Sequence, residues 1–106
     1  MNNFVKISLL TALLMVSAQI SAQTKVRGSV TDAETGEPLP FANVVFPGTT
    51  IGTITDPDGN FFLQTHADVD SISFSMLGYD TYTLAIARNS YQEVNVTLTQ
   101  GGVTLN

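Results

Sequence analysis

The sequence predicts an all-β protein, a seven-strand Greek-key β-sandwich of the transthyretin-like type preceded by a cleavable leader, and three observations predict the sandwich. Apolar residues return at every second position in seven short runs, the period of a strand with one buried face. Residues that favour turns interrupt those runs again and again along the chain. After residue 22, no stretch sustains the i, i+3, i+4 spacing of an amphipathic helix. Seven strands with one apolar face each are best buried as two sheets packed face to face. An antibody-type sandwich is excluded, because the chain has neither Cys nor Trp.

The elements follow in order. Residues 1–22 read as a secretory signal peptide. Lys6 closes a short positive region, Ile7 to Val16 is dominated by Leu, Ile, Ala, Met and Val, and Ile20-Ser21-Ala22 ends in a small residue at the expected cleavage point. That apolar run is about half of the roughly 20 residues needed to span a bilayer, so a membrane anchor is the weaker reading. A lipoprotein is excluded by the absence of cysteine. No later segment is long and apolar enough to span, so no membrane span is expected in the mature chain.

The sandwich is expected over 23–99. Lys25 to Thr31 turns Val26, Gly28 and Val30 to one face, and the polar stretch Asp32 to Pro38 follows as a loop. Ala42 to Phe46 directs Ala42, Val44 and Phe46 inward before Pro47-Gly48 ends it. Gly52 to Thr55 and Asn60 to Leu63 flank Asp56-Pro57-Asp58-Gly59, and the sequence reads there as a β-hairpin. Proline presets its φ, Asp accepts local N–H bonds, and Gly59 takes positive φ. Phe61 and Leu63 then face the core. Three further triplets at period two complete the count: Ile72, Phe74 and Met76; Tyr82, Leu84 and Ile86; Val94, Val96 and Leu98. Residues 100–106 are expected to be a flexible tail, because Thr99-Gln100-Gly101-Gly102 breaks the alternation.

Removing 22 of the 106 residues leaves 84, enough for one small domain. With no cysteine, neither a disulfide nor a Cys-based metal site can help to hold it. Nine acids stand against Lys25, Arg27 and Arg88 in that portion, a net charge of −6. An acidic chain with three dispersed cations offers no patch for nucleic acid.

Several blocks now resemble a known family. Val26-Arg27-Gly28-Ser29-Val30, Thr35-Gly36-Glu37-Pro38-Leu39-Pro40, Ala42-Asn43-Val44, Gly48 to Thr53, Thr55-Asp56, Asp58-Gly59-Asn60-Phe61 and Leu77-Gly78-Tyr79 are similar to the carboxypeptidase regulatory-like domain, in the family's order. The resemblance implies a transthyretin-like sandwich. Its closest form is the one that follows the signal peptide in SusC-like TonB-dependent receptors of the bacterial outer membrane. Phe41 stands where that form usually has Gly, and Met76 where an aromatic is common. No plug, barrel or peptidase domain lies within these residues, so the resemblance carries over neither transport nor hydrolysis. It implies a non-catalytic accessory role.

Each chemical alternative is weaker than its structural counterpart. Asp56, Asp58 and Asn60 have the alternate spacing of calcium-loop ligands, but Phe61 and Ala67 stand where such a loop needs Gly and a bidentate Glu. His66 is the only histidine, near Asp68 and Asp70, with no G-x-S-x-G elbow to supply a nucleophile. Tyr79, Tyr82 and Tyr91 invite a glycan reading, but Tyr82 is in phase with core residues and Tyr79 caps a turn, which leaves only Tyr91 exposed. Asn95-Val96-Thr97 matches a glycosylation acceptor but falls inside a strand. No catalytic, cofactor-binding or metal site is expected. Two roles stay open: an accessory module of the cell envelope that works with protein partners, including the remainder of a TonB-dependent receptor, or an independent exported module binding a glycan or protein.

Overall fold

The computed structural model describes residues 23–101; the expected leader over 1–22 and the last residues of the tail, 102–106, lie outside them. Seven strands form two sheets: β1 Thr24–Asp32, β2 Asn43–Val45, β3 Gly52–Ile54, β4 Asn60–Thr65, β5 Ser71–Ser75, β6 Tyr82–Ala85 and β7 Tyr91–Leu98. One sheet has the order β4-β1-β7 and the other β3-β2-β5-β6. Four of the six connections pass from one sheet to the other, so the layers are stitched together along the whole sequence. The only parallel pair among the described residues joins β1 to β7, with Gly28 beside Val94 and Val30 beside Val96. No helix of the described residues is long and apolar enough to cross a membrane.

Period-two residues meet between the sheets as expected. Val26 and Val30 from β1, Ala42, Val44 and Phe46 around β2, and Ile72 and Phe74 from β5 are fully buried. Phe61 and Leu63 from β4 join them. The Phe61 and Phe74 rings meet edge to face, with centroids 5.3 Å apart and planes at 68°, so one aromatic contact ties the two layers together.

The stretch around Asp56 to Gly59 differs from expectation. It is a corner between sheets and not a hairpin, since β3 pairs with β2 while β4 pairs with β1. The turn itself forms as its sequence dictates: Gly59 N–H donates to the Asp56 carbonyl, Asp56 Oδ1 accepts N–H groups of Asp58 and Asn60, and Gly59 has φ +78°. Each arm is nevertheless captured by a different neighbour. Thr55 N–H donates to the Ala42 carbonyl, and Val30 N–H donates to the Gly59 carbonyl. Side-chain alternation fixes which residues are buried, but the backbone partners decide which sheet receives them.

Tyr82 is a second correction, being exposed where its phase predicts core. Leu84 and Ile86, in the same phase, do pack against the core. Tyr82 is the first residue of β6, an edge strand of the four-stranded sheet, and there its ring stays in solvent. Gln100 and Gly101, expected in a flexible tail, are bonded to the sandwich: Gly101 N–H donates to the Gly78 carbonyl, and Gln100 bridges to Tyr79.

Phe41 is exposed and has φ +62°, a left-handed backbone that costs a bulky residue energy. Thr55 holds it there. The buried Thr55 hydroxyl donates to the Leu39 carbonyl at 2.6 Å and accepts the Ala42 N–H at 2.9 Å, while Phe41 N–H donates to the Thr55 carbonyl at 3.0 Å. A corner fixed on both sides can keep a strained residue between its anchors.

Urea melts of three variants test this packing. Phe61→Ala should destabilise by about 3–5 kcal/mol through the cavity it leaves between the sheets. Gly59→Val should cost roughly 1–3 kcal/mol for the left-handed backbone, and more because a Cβ there would lie 2.7 Å from the Val30 carbonyl oxygen. Phe41→Gly should stabilise, by up to about 1 kcal/mol after glycine's own entropy cost is subtracted. A Phe61 variant as stable as the parent chain would contradict the core assignment.

Candidate functional site

The most highly organised polar group in the domain is the Asp32 carboxylate, at the end of β1. Its local bonds follow from sequence. An Asp that precedes a tight loop can cap the next N–H groups, and Oδ1 accepts those of Glu34 at 2.7 Å and Thr35 at 3.0 Å. Its other oxygen reaches across the chain. Oδ2 accepts the Tyr79 hydroxyl at 2.7 Å and the Gln100 side-chain amide at 3.3 Å. Asp32 is buried, and these donors, with the Tyr79 hydroxyl foremost and the Thr35 and Glu34 N–H groups next, hold its carboxyl down to about 2. The same bond to a carboxylate pushes the Tyr79 phenol up.

This cluster fastens three segments at one end of the sandwich: the end of β1, the turn after β5 and the exit after β7. Asp80 N–H donating to the Thr99 carbonyl adds a backbone bond to the same junction. The Asp-x-x-Thr-Gly run at Asp32 announces a capped loop, but Tyr79 lies 47 residues away and Gln100 lies 68 away, so only the folded topology reveals the junction. Satisfied on both oxygens by neutral donors, Asp32 is suited to fastening the fold and not to proton transfer.

The residues singled out in the sequence fall elsewhere. Asp56 spends its carboxylate inside the turn, and no group of three or more His, Cys, Asp or Glu able to hold a metal occurs among the described residues. His66 is exposed, and the nearby Asp68 and Asp70 face Arg88 at 3.0 and 3.7 Å. Those ion pairs lie in solvent and add little stability. Tyr79 belongs to the Asp32 cluster, whereas Tyr82 and Tyr91 lie exposed on different sheets, so the three tyrosines form no common platform. Asn95 lies within β7, where its Oδ1 accepts the Ser29 hydroxyl at 2.9 Å.

A shallow groove of about 500 Å³ runs over the outer face of the three-stranded sheet, lined in part by Arg27, Ser29, Ile54, Phe62 and Glu93. Arg27 lies over the exposed Phe62 ring, 5.8 Å from its centroid. Sequence alternation predicts Phe62 as the outward ring but gives no sign that Arg27 covers it.

The Asp32 cluster has a definite pH signature. Its carboxyl titrates near 2 in the folded chain and at the ordinary 3.8 when unfolded, so its stabilisation is complete above the unfolded value and is lost as pH falls through the folded one. Urea unfolding between pH 2 and pH 7 should show a loss of stability on the acid side that Asp32→Asn reduces. The variant should also be less stable at neutral pH. Identical pH slopes in both chains would contradict the assignment.

Comparison with known proteins agrees with this architecture. The family model for the CarboxypepD_reg-like domain matches residues 26–106. The TonB-dependent receptor SusC of Bacteroides thetaiotaomicron is 42% identical over 83 residues, covering 78% of this chain and 8% of the receptor. TonB-dependent receptor P3 of Formosa agariphila is 35% identical over 86 residues, covering 80% of this chain and 9% of the receptor. The chain thus matches less than a tenth of these curated relatives. Among solved structures, a type II cohesin–X-dockerin complex from Acetivibrio cellulolyticus superposes with a TM-score of 0.58 at 21% identity, covering 74% of this chain and 58% of that one, a likeness of fold alone. On the family match and these relatives, the chain belongs to the carboxypeptidase regulatory-like domain family.

Proposed function

We propose that this chain is a non-catalytic accessory module of the cell envelope, equivalent to the N-terminal extension of a TonB-dependent outer-membrane receptor. The observation that carries the reading is the match to two such receptors, which spans about four-fifths of this chain and under a tenth of each receptor. A β-sandwich whose best-organised polar cluster fastens its own chain exit is suited to presenting a neighbouring segment or partner protein. Export by the leader over 1–22 belongs to the same reading, which places the chain in the periplasm or at the outer membrane. The remainder of a receptor and other envelope proteins are the partners it implies.

The groove beside Phe62 favours one second reading, an independent exported module that binds a glycan or protein. Saturable binding of an oligosaccharide that Phe62→Ala abolishes would select it over the accessory role. The first reading is tested by fractionating cells and measuring the intact mass of the chain. The expected result is an envelope protein that begins at Gln23, after the small residue that closes the apolar run. A cytosolic chain that retains Met1 would contradict it.

A further inference from the structure

The outer edge of β7 is the longest open edge in the fold. β7 has eight residues and β1 as its only sheet neighbour among the described residues, whereas the other edge strands, β3, β4 and β6, have three, six and four. Lys25 N–H donates to the Ser90 carbonyl and Ala33 N–H to the Leu98 carbonyl, so even-numbered residues from Ser90 to Leu98 direct their backbone groups at β1. Tyr91, Glu93, Asn95 and Thr97 therefore direct theirs away from the sheet, and their side chains are exposed. Proteins commonly guard such an edge with proline, lysine or a bulge. β7 contains no Pro and no Lys, and Glu93 is its single charge.

We propose that β7 pairs antiparallel with β7 of a second copy of this chain, about a two-fold axis at Val94, to join two three-stranded sheets into one of six strands. In that register Tyr91 faces Thr97 and Glu93 faces Asn95, so every open backbone group on the edge finds a partner. The side chains select the occupant. Asn95 Oδ1 is taken by the Ser29 hydroxyl, which leaves its amide N–H groups free to donate to the Glu93 carboxylate of the other copy. Glu93 makes no ion pair among the described residues, because Arg27, its neighbour in register, lies over Phe62 instead. Shifting the register by one step sets Glu93 against Glu93. Shifting it the other way sets Tyr91 against Thr99, whose carbonyl already accepts the Asp80 N–H.

Sedimentation of the full chain and of two variants tests this. The parent chain should form a dimer. Asn95→Asp keeps an acceptor for Ser29 but sets carboxylates opposite each other at two places, and should weaken the dimer by about tenfold or more. Adding Glu93→Gln to that variant restores an amide opposite each carboxylate, and should recover the dimer. In this cysteine-free chain, mixing Glu93→Cys with Asn95→Cys should give disulfide dimers between the two variants in preference to either with itself. A parent chain that stays monomeric at millimolar concentration, or a dimer indifferent to Asn95→Asp, would overturn the proposal.

Discussion

The fold depends on how closely β7 lies against β1 at Gly28. A side-chain carbon at that position would collide with the Val94 carbonyl, so only glycine lets the last strand settle beside the first. This contact joins segments from opposite ends of the described residues. It sits in the parallel pair of β1 and β7, next to the buried Val26 and Val30. Parallel pairing between distant segments orders many residues before any bond is gained, and here no disulfide offsets that cost. The return comes from burial: β1 is the middle strand of its sheet, and its inward side chains meet those of Val44, Phe46, Ile72 and Phe74 across the core.

Once β1 is fixed between β4 and β7, its far end positions Asp32. The carboxylate then draws in Tyr79 from the opposite sheet and Gln100 from the chain exit. One ionised group in this way connects the packed core to the point where the polypeptide leaves the domain. The junction ties the ends of β1 and β7 to the turn after β5 through neutral donors on both carboxylate oxygens. The outer edge of β7 is the complementary feature, a surface whose backbone groups have no partner among the described residues.

The seven strands and most of the core were legible because alternation needs only local sequence. Ala42, Val44 and Phe46 read as an inward triplet and are one. What failed depended on partners that local sequence does not specify. The Asp56 to Gly59 turn has every residue of a hairpin, yet its arms join different sheets because β1 and β2 compete for them. Tyr82 has a core phase but falls at the start of an edge strand, where it is exposed. Phe41, noted in the sequence only for standing where glycine is usual, proves to hold a left-handed backbone that explains the preference. The union of Asp32 with Tyr79 and Gln100 was not visible, since the three side chains are separated by most of the domain.

Amide hydrogen exchange in β7 tests the central place of β1 most directly, at a dilution where the chain is monomeric. The N–H groups of Val94, Val96 and Leu98 face β1, whereas those of Glu93, Asn95 and Thr97 face outward. The structure predicts that the first three exchange as slowly as the amides of β1, by global unfolding, and that the other three exchange much faster. Fast exchange along the whole of β7 while the β1–β4 ladder stays protected would contradict it, because β7 would then be a loosely attached strand and not the partner on which the sheet closes.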